Sequence, residues 1–135
     1  MPAYRTIEKQ IHVEQNKLTL MAEEGATLSS GSLRLYALPY GCVDLYAYDP
    51  MHRRAAVGIV VATAHRRQGH ALAMLQALER QYKGVLHVLY ADIEASNTPS
   101  LALFRKAGYT ECGHFAEWLC VDGHYTDTVR LQKIL

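Results

Sequence analysis

The sequence predicts an α/β (α+β) fold, a mixed central β-sheet with flanking helices. Three observations carry this: several short runs alternate apolar and polar residues or are apolar throughout, two others repeat apolar residues every three or four positions, and strands precede an interleaving of helices and strands. With 135 residues, half of them apolar, the chain can bury one core. A single domain over residues 1–135 is therefore expected, with a divergent helical segment over 1–31 and the core over 32–135.

Between Tyr4 and Glu24, Ile7, Ile11, Leu18, Met21 and Ala22 fall on one helical face, predicting a helix that ends near Gly25, although "KLTLMA" also fits a short strand. The Gly- and Ser-rich "GATLSSGS" reads as a loop. Strands follow at Ser32–Leu38, Cys42–Tyr48 and Ala55–Ala62, separated by "PYG" and "DPMHRR", which suggests an antiparallel meander. Leu72, Leu75, Leu78 and Tyr82 then mark a helix from Gly69 to about Lys83, stopped by Gly84. "VLHVLYADIEA", Val85 to Ala95, is too apolar for a solvent-facing edge and is placed centrally in the sheet. A short helix comes next, with Thr98 as N-cap, Pro99 in the first turn, Arg105 and Lys106 in the last, and Gly108 as terminator. Two final strands flank Asp122-Gly123, a strong hairpin signal.

Charge narrows the function. Fourteen basic residues nearly balance thirteen acidic ones, so no global field draws the chain to nucleic acid or an anionic membrane, and any anion site must be local. Cys42, Cys112 and Cys120 are odd in number and lack a CxxC pair, which argues against a disulfide framework and a zinc cluster. A reducing, cytoplasmic location is expected, and on predicted strands Cys112 and Cys120 default to buried, inert thiols. No apolar run approaches the roughly 18 residues needed to span a bilayer, and "MPAYRTIEKQ" lacks a signal pattern, so a soluble, unprocessed protein is expected.

"AHRRQGHALAML", Ala64 to Leu75, carries the chemistry. A strand that runs through "RRQGHA" into a helix exposes N–H groups with no intrahelical partner, and the helix dipole adds positive charge there. Arg66 and Arg67 add forked donors suited to phosphate. The dinucleotide and Walker patterns are excluded, because one glycine is present and no lysine follows it. The pattern that fits is [R/Q]-x-x-G-x-[G/A], through Arg66, Gly69 and Ala71. His65 and His70 have no partner at metal-ligand spacing and read as surface residues, so no metal is expected. "HRR" at His52–Arg54 reads as a solvated turn, and Trp118 as a core or pocket-wall residue.

That pattern resembles the pyrophosphate loop of the GCN5-related N-acetyltransferases. Downstream, Asn97, Ser100, Leu103, Phe104, Gly108 and Tyr109 fit that family's "N-x-x-[AS]-x-x-L-[YF]-x-x-x-G-[FY]". "DPMHRRAAVGIVV" and "WLCVDGHYTDTVRL" are similar to the ribosomal-protein-alanine and spermidine acetyltransferase branch, and the resemblance runs from about Ser32 to Leu135. It implies that acetyl-CoA lies where the fourth and fifth family strands splay. Ile59 and Val61 would offer backbone groups to the acetyl and pantetheine moieties, with the Ile59 N–H at the oxyanion. Arg66, Arg67, Gln68, Gly69, His70 and Ala71 would cradle the pyrophosphate, and Asn97 and Phe104 would touch the cofactor.

Two positions depart from the branch. Phe104 stands where a tyrosine often protonates the leaving thiolate, and Ala56 where a glutamate often precedes the fourth strand's "V/I-G-I". Asp44, Tyr46 and Glu94, with Tyr48 and Glu117 behind them, become the candidate proton-transfer groups. The N-terminal third is also shorter than the family's strand and two helices, which suggests a partner subunit in a homodimer completing the acceptor site, or a start further upstream. The leading expectation is an N-acetyltransferase moving acetyl from acetyl-CoA to a primary amine, a protein N-terminus or polyamine-like molecule. The alternative is a non-catalytic acyl-CoA-binding module; a nucleic-acid-binding domain rests only on the arginine pairs.

Overall fold

The computed structural model describes residues 11–14, 17–20, 34–38, 41–61 and 69–135. Strands β1 (Ile11–Glu14) and β2 (Lys17–Leu20) pair antiparallel, Ile11 opposite Leu20 and Glu14 opposite Lys17. The helix expected over this stretch is thus corrected to a strand pair in its described residues. Ile11, Val13 and Thr19 are β-branched, and each tetrapeptide alternates; those local preferences win over the looser helical spacing.

The main sheet is six-stranded, in the order β3-β4-β5-β6-β8-β7. Strands β3 (Arg34–Leu38), β4 (Gly41–Asp49) and β5 (Arg54–Val61) form the expected antiparallel meander. A bulge between Tyr46 and Asp49 places Ala47 at φ 51°, and the β4–β5 turn is closed by Asp49, whose carboxylate accepts from the N–H groups of Met51 and His52 and pairs with Arg54 at 3.3 Å. Helix α1 (His70–Tyr82) then crosses to β6 (Val88–Glu94), central in the sheet and parallel to β5. Helix α2 (Thr98–Lys106) leads to β7 (Thr110–Val121) and β8 (His124–Ile134), which pair around Asp122 and Gly123 at φ 49° and 78°, the two positive values a type I′ turn requires.

One face of the sheet carries the core. Val43, Leu45, Val57, Leu89 and Leu131 are buried there with Met74, Leu75, Leu78 and Tyr82 of α1 and Leu101 and Phe104 of α2. Each fully buried leucine of this kind contributes about 1.5–3 kcal/mol. Lys133 of β8 fastens both helices: its ammonium donates to Glu79 of α1 at 2.6 Å and to the Ala107 carbonyl at the end of α2 at 2.7 Å. Trp118, expected in the core or a pocket wall, is instead 63% exposed and leans on Phe115, and Cys112 and Cys120 are exposed rather than buried. All three lie on β7, the outer strand of the sheet.

Candidate active site

The only parallel pairing in the six-stranded sheet is also its shortest. β5 and β6 stay together for Arg54↔Val88, Ala55↔Leu89 and Ala56↔Tyr90, and their ladder ends there, although both strands continue. A cleft of about 640 Å³ occupies the divergence. Ile59, Val60 and Val61 of β5 line one side, Gly69 to Leu72 close the end at the start of α1, and Asn97, Pro99, Ser100, Leu103 and Lys106 line the other side.

Each wall follows from local sequence. Gly69 is the N-cap of α1 at φ 78° and ψ 5°, a left-handed conformation that L side chains adopt at a cost. Among the described residues no side chain caps the helix, and its first turn has no acidic residue to compete for the N–H groups at the cleft end. Across the cleft, α2 is capped by Asn97, whose carboxamide oxygen accepts from the Ser100 N–H at 3.2 Å. Thr98, the expected cap, is already the first helical residue; Asn97 takes the role because its side chain reaches that N–H.

Of the expected cofactor residues, Ile59, Val61, Gly69, His70, Ala71 and Asn97 come together around this cleft. Arg66, Arg67 and Gln68 lie outside the described residues, as does His65. Phe104 is placed elsewhere: it is 2% exposed and packs edge-on against Tyr109, with ring centroids 4.9 Å apart. The correction is geometric. Leu101, Phe104 and Ala107 share the core stripe of α2, whereas Ser100, Leu103 and Lys106, one step round the same helix, face the cleft. Those three, with Val60, Leu72 and Pro99, were missed in the sequence, although the spacing of three from Asn97 was the available signal. Lys106 adds a cation to the cleft.

The candidate proton-transfer groups separate by strand face. Asp44, on β4, is half-buried and sits opposite Gly58 of β5; burial pushes its carboxyl up from the usual range. Tyr46, Ala56 and Tyr90 form the next row across β4, β5 and β6, on the face away from the core helices. Ala56 is 1% exposed and carries no ionisable group. Asp92 is held by Arg130 of β8 through two bonds of 2.7 and 2.9 Å, with the guanidinium stacked over Tyr90 at 4.6 Å and Phe115 at 5.2 Å. Glu94 accepts from the Ser96 hydroxyl at 3.0 Å. Tyr48 packs against the core. Glu117 lies on β7 at φ 52°, outside the cleft, and its N–H donates to Asp127, which also bonds His114 at 2.8 Å. Among the described residues no group of three or more His, Cys, Asp or Glu could hold a metal ion, and no helix is long and apolar enough to cross a membrane.

The sequence model of the acetyltransferase (GNAT) family matches residues 3–109. The spermidine N(1)-acetyltransferase of Vibrio cholerae is 29% identical over 93 residues, 67% of this chain and 54% of that protein. The chain therefore spans about half the length of the curated relatives it matches. Among solved structures, a chimeric spermidine N-acetyltransferase built from the Vibrio cholerae protein superposes with a TM-score of 0.65 at 28% identity, over 70% of this chain and 58% of that one. RimL, a ribosomal L7/L12 α-N-protein acetyltransferase solved in complex with coenzyme A, gives 0.68 at 23% identity, over 71% and 55%, a likeness of fold.

Proposed function

Because the chain belongs to the acetyltransferase (GNAT) family, we propose that it moves the acetyl group of acetyl-CoA to a primary amine by direct attack in a ternary complex. The observation that carries this reading is the cleft where β5 and β6 part, with Ile59, Val60 and Val61 of β5 on one side and, at its end, a helix N-terminus with no side-chain cap among the described residues. Its volume, about 640 Å³, lies within the range of small-molecule sites.

The residues present fit the co-substrate. Its pyrophosphate would rest on the first turn of α1, at Gly69, His70 and Ala71, and Arg66, Arg67 and Gln68, which precede them in the sequence, would add charge and donors. Lys106 adds positive charge across the gap, and Asn97 stands where the pantetheine arm would pass. The Ile59 N–H would stabilise the oxyanion as the amine adds to the acetyl carbon. A thioester is already reactive, so positioning and charge stabilisation supply most of the rate. The acceptor would be a protein N-terminus or a polyamine-like amine, the two kinds that the related proteins' names carry.

Phe104 and Ala56, both buried and unable to transfer protons, motivate the second reading, a non-catalytic acyl-CoA-binding module. Two measurements decide. CoA at 100 times its Kd should stabilise the fold by about 2.7 kcal/mol in a thermal-shift titration, and an oligonucleotide should not. Acetyl-CoA with a panel of primary amines should release free thiol above background; binding without release would replace the enzyme by the binding module.

A further inference from the structure

We propose that Asp44 is the group that receives the acceptor: its carboxylate holds the incoming ammonium beside the β5–β6 gap and takes its first proton. This rests on the acetyl-transfer reading above. The geometry comes from Gly58. The two residues are register partners, and a methyl group at position 58 would overlap the Asp44 carboxylate, with Cγ at 3.1 Å and Oδ2 at 3.3 Å. A carboxylate rooted on β4 therefore lies flat over β5, one strand nearer the gap than its own backbone. It lies over Gly58, the residue before Ile59, which lines the cleft with Val60 and Val61. Gly58 is small because the carboxylate occupies the space of a side chain.

Other groups on that face are committed differently. Tyr46 follows Asp44 on the same face of β4; on β6, Tyr90 stacks under Arg130, Asp92 is paired with Arg130, and Glu94 is bonded by Ser96. Among the described residues no cation lies at ion-pair distance from Asp44. A half-buried carboxylate with no counter-charge among the described residues is unfavourable for folding alone and is suited to a cationic ligand. Burial raises its pKa, which brings it closer to that of a working base.

The step balances. One ammonium proton passes to the Asp44 carboxylate and from there to water. The nitrogen lone pair forms the N–C bond and the C–S bond breaks with its electron pair on sulfur. The second proton lost by nitrogen ends on that sulfur.

Asp44→Asn, Gly58→Ala and the double variant test this, with CoA affinity, kcat/KM against pH for a primary amine, and circular dichroism on each. Asp44→Asn should bind CoA as the wild type does, lose about 10²–10⁴-fold in kcat/KM and lose the acidic limb of the profile. Gly58→Ala, whose clash is with a side-chain end, should fold, bind CoA and lose activity, and that loss should largely disappear in the Asp44→Asn background. Asp44→Asn within threefold of wild type with the acidic limb intact overturns the proposal. So does a Gly58→Ala loss that persists undiminished in the double variant. Wild type that binds CoA but releases no thiol with any amine overturns the acetyl-transfer reading itself, an outcome seen before any variant is made.

Discussion

Asn97 offers a direct way to separate a structural bond from a ligand contact. Its carboxamide oxygen caps α2 through the Ser100 N–H, and the residue also lines the cleft. Asn97→Ala removes the cap, which costs about 1 kcal/mol, or roughly 3–5 °C in Tm for a chain of this size. The loss should be near the full amount, because a nine-residue helix is too short to persist on its own and its first turn depends on that acceptor. Asn97→Asp and Asn97→Ser keep an oxygen in the same place and should retain the wild-type Tm without ligand; the aspartate also gains from the helix dipole. CoA binding should divide the series differently. A new negative charge facing an anionic ligand should weaken binding at least tenfold in Asn97→Asp, about 1.4 kcal/mol, with little change in Asn97→Ser. Thermal denaturation of the free proteins and calorimetric titration with CoA provide both readings. If Asn97→Asp falls in Tm as far as Asn97→Ala, the capping argument is wrong.

The remaining predictions concern the core and the pH response. Phe104→Ala should cost about 3–5 kcal/mol in urea denaturation, and Phe104→Tyr should also destabilise without raising thiol release, since its hydroxyl would be buried in the core; a gain in turnover would refute that placement. Lys133→Met should cost about 1–2 kcal/mol by leaving the Glu79 carboxylate and the Ala107 carbonyl unpaired, with part recovered in combination with Glu79→Gln. Two aspartates should respond to acid in opposite senses. The Glu117 N–H and His114 hold Asp127 below the usual range, so its stabilising contribution is complete above about pH 4 and is lost as the pH falls through its lowered value; Asp127→Asn should flatten that limb. Burial holds Asp44 above the usual range, so its carboxylate opposes folding at neutral pH and the opposition fades on acidification. Asp44→Asn should therefore be the more stable protein at pH 7 by urea titration.

Much of the fold was legible because it is written in periodicity. Leu72, Leu75 and Leu78 announce α1, the alternation from Cys42 to Tyr48 announces β4, and Asp122-Gly123 announces the final hairpin. The N-terminal strand pair was misread because five apolar residues spaced over sixteen positions satisfy a helical face on paper, while the pairing of Glu14 with Lys17 is a contact that such a count ignores. In the cleft, motif order located Ile59, Gly69 and Asn97, yet it could not say which way α2 is rotated; one residue, about 100° of arc, separates Leu103 in the wall from Phe104 in the core. The approach of Asp44 to Gly58 was hidden for a similar reason. It exists only in one register of β4 against β5, and a slip of a single residue would put the carboxylate on the opposite side of the sheet.

The brevity of the β5–β6 ladder has a mechanical meaning. The sheet consists of two antiparallel three-stranded blocks, β3-β4-β5 and β6-β8-β7, stitched along a seam of three residue pairs. A ligand lodged in that seam touches β5 on one block and the segment following β6 on the other, so it acts as a strut between them. Amide exchange should accordingly slow on both blocks when the cleft fills, including at positions that the ligand never reaches.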